Sequence, residues 1–326
     1  MLTVRQNMLA FVLVFFMIFQ AAHAEPEEIT LDIQNGSNYM GMIVMKNMFW
    51  DAVAKQNGIS TKLNLNRVGG PSAAADRFLA GANQGMTISY PLIIKLHEKT
   101  KGDAKILVGN ALVNMMLNVS DPSIKSAADF KEGNKIAVTT IETSIQAIAS
   151  KKLAQKTFGD TTKLDRFSVQ MSHPDAYAAL MVKKITAHWA TPPFAQMEIE
   201  NKQNVTIARS FDLFGPHHLT ALAVSEKFCH KNPLTCKTIY DAYSQANAWI
   251  VADQERAANY FKANMPVKED ADDYLSQFKN KDLVFEVAPQ GIMSFYRFLK
   301  EIKQTNVNLN SWKDITLPYV HNLKGS

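Results

Sequence analysis

Five short segments of this chain consist of the residue types that hold a small polar molecule by hydrogen bonds: Ser37 to Tyr39, Gly69 to Ser72, Ser89 to Tyr90, Thr139 to Ser144, and Thr191 to Pro192. Hydroxyls both donate and accept, and glycine lets a backbone N–H come close to a ligand. Each segment taken singly also reads as an ordinary helix cap. Other residues suggest rival chemistry. Arg67, at a strand end, has a fork suited to sulfonate or carboxylate oxygens, or is a solvated charge. Glu142 suits a cationic head group or the positive end of a helix dipole. Met40, Met42, Met45 and Met48 offer soft thioethers for Cu(I), but Met42, Met45 and Met48, spaced by three, read as a core-facing helical stripe. His217 and His218 are adjacent, and no HxH or HxxxH spacing suits zinc. Ser144 and His173 in neighbouring loops are a low-specificity nucleophile–base pairing. No GxSxG, HExxH or P-loop pattern accompanies them.

The elements that must position these segments follow a strand, loop, helix order. Ile29 to Ile33 alternates as ITLDI, Met42 to Val53 has helical spacing, Thr61 to Val68 reads as a strand, and SAAADRFLAG is helical with Gly81 past its end. Met86 to Ser89 is a third strand. The series restarts with a strand at Lys135 to Val138, a helix at Ile145 to Thr157, a strand at Phe167 to Met171, a helix at Pro174 to Val182 opened by Ser172, and a strand at Ala187 to Ala190. From Leu219 the pattern is one strand and then mostly helices. This is the grammar of an α/β protein with parallel sheets and covering helices. In such sheets ligands bind beyond the carboxyl ends of strands, where all five segments fall.

Residues 1–24 read as a secretory signal: Arg5, an apolar run from Met8 to Phe19, and the small residues of Ala22-His23-Ala24. The apolar run is too short to span roughly 30 Å of hydrocarbon. Cleavage after Ala24 leaves about 300 residues starting at Glu25, enough for two lobes with separate cores, in the periplasm. A 47% hydrophobic and 20% charged composition is that of a globular chain. The formal charge of +5 is spread without a basic run, which argues against nucleic-acid binding. Cys229 and Cys236 are the chain's two cysteines, either a disulfide suited to an oxidising compartment or two buried thiols. Asn232 between them can cap a helix whose first residue is Pro233.

DFKEGNKIAVTTIETSIQAIASKKL at 129–153 resembles the entry into the second lobe of ABC-importer substrate-binding proteins of the nitrate, sulfonate, taurine and thiamine-precursor group. GGPSAAADRFLAG at 69–81, SHPDAYAALMVKKITAHWATPPF at 172–194 and LTALAVSEKFCHKNPLTCKTIYDAYSQANAWI at 219–250 are similar to it as well. The resemblance implies a two-lobed periplasmic-binding-protein (type II) fold with a ligand cleft between lobes and a two-strand hinge. One lobe would comprise residues 25–115 with 210–326, the other 116–209. It also implies a monomer that captures a small organic ligand and delivers it to an ABC permease in the inner membrane, with no catalytic residue, cofactor or metal. The matching cleft positions are Gly70, Ser72, Ser89, Tyr90, Thr140, Thr143, Ser144 and Thr191, with Ser37 and Tyr39 from the first loop. Tyr39, Tyr90 and Trp189 would cover an apolar part of the ligand. Glu142 departs from the Gly or Ser usual before the second-lobe helix. The alternatives are a thiamine-pyrimidine-making enzyme, whose cysteine cluster this chain lacks, and a metal-binding or ligand-sensing protein on the same fold.

Overall fold

The computed structural model describes residues 24–200, 204–265 and 270–326. Apart from Ala24, the expected signal segment lies outside the described residues. Among them, no helix is long and apolar enough to cross a membrane.

In β1 (Glu28–Ile33), Ile29, Leu31 and Ile33 are buried, as the alternation requires. A 3-10 turn at Ser37–Tyr39 leads into α1 (Met40–Val44), a π-helical turn Met45–Phe49 and α2 (Trp50–Gln56). β2 (Lys62–Arg67), α3 (Pro71–Leu79), β3 (Gly85–Ile88) and α4 (Tyr90–Lys99) complete the first series. β4 (Ala104–Val113) and β5 (Met116–Val119) carry the chain to a second series: β6 (Ile136–Val138), α5 (Ile145–Phe158), β7 (Ser168–Gln170), α6 (His173–Met181), β8 (Ala187–Ala190) and α7 (Phe194–Glu200). β9 (Val205–Arg209) and α8 (Phe211–Phe214) lead back to β10 (His218–Ser225). The chain then runs through α9 (Glu226–Lys231), α10 (Pro233–Ala252), α11 (Gln254–Asn264), α12 (Ala271–Lys279), β11 (Leu283–Phe285) and α13 (Ile292–Glu301).

Among the described residues the strands form two sheets, β11-β4-β10-β3-β1-β2 and β7-β6-β8-β5-β9. β1 runs parallel to β2 and β3, and β6 parallel to β7 and β8. The expectation of purely parallel sheets is corrected at the remaining strands. β10 is antiparallel to β3 and β4, β11 to β4, and β5 to β8 and β9. Four of these, β4, β5, β9 and β10, carry the chain between the sheets, so they run counter to the strand-helix units. β4 and β5 escaped the pattern reading because they are buried on both faces and lack a two-residue alternation.

The two crossings are tied together. The Ser210 N–H donates to the Met115 carbonyl, and the Met115 N–H to Ser210 Oγ, each at 2.9 Å. The Phe211 N–H donates to Asn114 Oδ1 at 3.0 Å.

Met40, Met42 and Met45 are fully buried in the core, but Met48 is 41% exposed. The wide π turn over Met45–Phe49 shifts the helical phase and carries Met48 off the expected stripe. Cys229 and Cys236 are joined, their Cα atoms 5.4 Å apart, stapling α9 to α10. α10 does begin at Pro233 after Asn232, but the capping acceptor is Glu25, whose carboxylate takes the N–H groups of Leu234 and Thr235 at 2.9 and 3.0 Å. Asn232 instead donates to the Phe228 carbonyl. His217 and His218 are buried beside backbone carbonyls, and burial lowers both to about 4.

Replacing both cysteines with serine is expected to cost about 2 to 3 kcal/mol in denaturant unfolding, the loop-closure value for so short a ring; unchanged stability would contradict it. The unfolded chain protonates His217 and His218 near pH 6.5, whereas the folded chain does so only near 4. Stability is therefore present above pH 6.5 and is lost as pH falls toward 4. Replacing both with Phe should flatten that stretch of the stability profile.

Candidate functional site

In each sheet a central strand is flanked by two parallel neighbours, β1 between β2 and β3, and β6 between β7 and β8. The carboxyl ends of both sets open on the same cleft, the arrangement that gathers loop residues and helix N-termini around a ligand. From the first sheet come Gln34, Asn35, Asn38 and Tyr39 after β1, Pro71 after β2 and Ser89 after β3. From the second come Thr139, Ser144, Ile145 and Gln146 after β6, His173 after β7 and Thr191 after β8. Asn38, Tyr39, Ser89, Ser144, Gln146 and Thr191 face an inner cavity of about 40 Å³. Gln34, Asn35, Thr139 and His173 also line an adjoining recess of about 500 Å³ that includes Gly69 and Gly70.

A buried polar floor fixes the first-sheet side. The Asn110 amide donates to the Asn38 carbonyl at 2.7 Å and to Thr220 Oγ1 at 2.9 Å, and the Tyr243 hydroxyl donates to Asn110 Oδ1 at 2.8 Å. Burial pushes the Tyr39 hydroxyl well above its ordinary range, partly offset by its bond to the Asn38 side chain, so it stays a donor. On the second-sheet side Ser144 caps α5. Its hydroxyl accepts from the Ala147 N–H at 3.2 Å and donates to the Thr140 carbonyl at 2.7 Å. By contrast, Ser89 at the start of α4 makes no side-chain cap bond, which leaves its hydroxyl for the cavity. Among the described residues, the inner cavity lining contains no lysine, arginine, aspartate or glutamate.

Of the residues expected from sequence, Tyr39, Ser89, Ser144 and Thr191 meet at the inner cavity and Gly70 at the outer recess. Ser37 is buried, its hydroxyl without a partner. Ser72, Thr140 and Thr143 are partly exposed and lie off the cavity walls. Tyr90 lies in the core against His218 and Phe295, since the first turn of α4 points its ring inward. Trp189 is also buried, donating to Ser150 Oγ at 2.8 Å, because β8 alternates and sends His188 to the other face. Glu142 takes a left-handed φ of 68°, a conformation glycine adopts more readily, and it is exposed. Arg67 bonds the Gln34 carbonyl and Asn35 Oδ1 at the rim. Ser144 and His173 share no hydrogen bond; His173 Nε2 meets Gln146 and Thr191 instead. Gln146, Thr220 and Asn110 were missed, although each interrupts an apolar run, IQAIA, HLTALAV and ILVGNALV. Among the described residues, no group of three or more His, Cys, Asp or Glu is arranged to hold a metal ion.

The sequence profile of the NMT1-like family matches residues 22–263. No curated protein matches the sequence significantly. Among solved structures, the ligand-binding component of an ABC-type import system from Staphylococcus aureus, solved with zinc bound, superposes with a TM-score of 0.69 at 14% identity, covering 91% of this chain and 98% of that one. The periplasmic aliphatic sulphonate binding protein SsuA from Escherichia coli gives 0.64 at 15% identity, with 90% and 92% covered. The periplasmic nitrate-binding protein NrtA from Synechocystis gives 0.61 at 14%, with 77% and 69% covered. These likenesses establish the two-lobed fold.

Asn110→Leu is expected to lower stability by about 1 to 3 kcal/mol for each buried polar group left unpaired, measured by denaturant unfolding. Wild-type stability in that variant would show that the floor is not what holds the Asn38 loop.

Proposed function

The chain belongs to the NMT1-like family, and on that premise we propose that it is an extracytoplasmic solute receptor. It takes a small organic ligand of sulfonate, nitrate, taurine or thiamine-precursor type between its lobes and presents it to an ABC permease of the inner membrane. The observation that carries this reading is the convergence of strand carboxyl ends from both sheets on one uncharged, hydroxyl-rich cavity. The names of the similar solved structures support the same class.

The inner cavity of about 40 Å³ admits roughly three water-sized groups, so it suits a head of a few heavy atoms, while the outer recess takes the body. Hydroxyls of Ser89 and Thr191, with the N-termini of α4 and α5, orient the head by hydrogen bonds and partial positive charge. A ligand touching both walls binds the closed form better than the open one and shifts the population toward it. The lobes in this reading are residues 25–115 with 210–326, and residues 116–209. In this reading the protein is a periplasmic monomer without catalytic machinery, and the commitment of the Ser144 hydroxyl to a helix cap argues against its use as a nucleophile.

A thermal-shift screen of the exported protein against nitrate, alkanesulfonates, taurine, carboxylates, thiamine pyrimidines and amines tests the reading. A ligand at a hundred times its dissociation constant stabilises by about 2.7 kcal/mol. Ser89→Ala and Thr191→Val should each weaken the ligand by about 1 to 3 kcal/mol, while Ser72→Ala leaves it unchanged. Silence across the panel, or a hit that ignores both substitutions, would contradict the proposal.

A further inference from the structure

A file of side chains runs from behind the cavity wall to its surface, and the receptor reading leaves its inner members, Glu198, His188 and His173, unused. Glu198 of α7 is fully buried, and among the described residues it pairs with no lysine or arginine. Its Oε1 meets His188 Nδ1 at 2.6 Å, and its Oε2 accepts from Asn118 Nδ2 at 2.9 Å. His188 Nε2 meets His173 Nδ1 at 2.8 Å. His173 Nε2 faces the Gln146 amide at 3.2 Å and Thr191 Oγ1 at 3.3 Å, and Gln146 Oε1 meets Thr139 Oγ1 at 3.0 Å. The file runs unbroken from a buried carboxylate to hydroxyls on the ligand cavity.

A chain of this kind has two self-consistent directions. With Glu198 ionised and both rings neutral, His188 Nδ1–H donates to Glu198, His173 Nδ1–H donates to His188 Nε2, and His173 Nε2 presents a lone pair toward the cavity. The group of three then carries one negative charge. When His188 takes one proton from solvent, it donates from both nitrogens, and His173 must accept at Nδ1 and carry its hydrogen on Nε2. The Gln146 amide turns over, and Thr139 and Thr191 are freed to point their hydrogens at the ligand. The charge of the group is then zero.

We propose that this Glu198–His188–His173 file sets the hydrogen-bond polarity of the cavity, and that an anionic head is captured together with one proton. The proposal rests on the solute-receptor reading and names the ligand class. With no basic side chain on the inner wall, an anion would otherwise face the buried carboxylate's uncompensated charge. Burial, and then the charge of His188, holds His173 well below the ordinary imidazole range. That ring therefore stays neutral throughout and only exchanges which nitrogen is protonated. Among the described residues, the elements packed on the file add no competing charge to it. β5 contributes Asn118 and β6 contributes Ala137 beside His188, and α5 contributes Gln146. Asp175 of α6 is exposed and bonded to Ser172, Tyr177 packs on Phe194, and Glu200 of α7 is exposed.

The test uses the exported protein labelled with ¹⁵N-histidine, its signals assigned through His173→Asn and His188→Asn. On lowering the pH from 9 to 5, His173 should stay neutral and move its hydrogen from Nδ1 to Nε2. Titration with ethanesulfonate in Tris, bis-tris and imidazole buffers should show uptake of one proton, with affinity falling about tenfold per pH unit once the file is deprotonated. The neutral ethanesulfonamide should lack that dependence, and Glu198→Gln should abolish it. An unchanged His173 tautomer overturns the proposal without touching the receptor reading, because it needs no ligand. A tautomer change with pH-independent ethanesulfonate affinity overturns the coupling. Failure of ethanesulfonate to bind at any pH overturns the anionic ligand class, and the receptor reading then stands or falls on the wider screen.

Discussion

The bonds among Asn114, Met115, Ser210 and Phe211 are the constraint from which the arrangement of the molecule follows. The chain must cross from one sheet to the other and return, and these bonds pin outgoing and returning strands side by side. Because β4 and β10 neighbour each other in one sheet, and β5 and β9 in the other, the crossings form one narrow two-stranded bridge. With the sheets so joined, the carboxyl ends of β1 and β3 open toward those of β6 and β8. Each half contributes incomplete walls, and the cavity exists only where the two meet.

The cavity's chemistry follows from what the helices leave over. Ser144 and Ser172 are used as caps for α5 and α6, and so serve the fold first. Ser89 and Thr191 stand at equivalent strand ends with hydroxyls directed to the cavity. Asn110, Thr220 and Tyr243 satisfy one another beneath, so polar groups that would be costly to bury become a rigid floor. An uncharged wall discriminates by shape and by the direction of its hydrogen bonds, and this is why a histidine file that runs from buried Glu198 to the cavity surface has leverage on what is bound.

Much of this was legible in the sequence. Short strands with an alternating apolar pattern, β1 among them, and helices with a hydroxyl before the first turn, α5 and α6 among them, announced themselves by period and cap. The location of the cleft followed from the rule that loops after parallel strands bind ligands. Three kinds of feature were not legible. Strands buried on both faces, such as β4, show no alternation. The π turn at Met45–Phe49 breaks the spacing that would have placed Met48 inside. The contact of His173, His188 and Glu198 depends on which face of β8 a side chain takes and on where α7 packs, neither of which any local pattern records. Tyr90 and Trp189 looked like ligand covers for the same reason: aromatic residues near strand ends declare their size but not their direction.

The most direct test of the central claim, that a ligand bridges both sheets, is hydrogen exchange of the exported protein with and without saturating ethanesulfonate or nitrate. The account predicts slowed exchange at once in the loops after β1 and β3, around Tyr39 and Ser89, and in those after β6 and β8, around Ser144 and Thr191. Protection confined to one sheet, protection elsewhere, or none with either anion would contradict it.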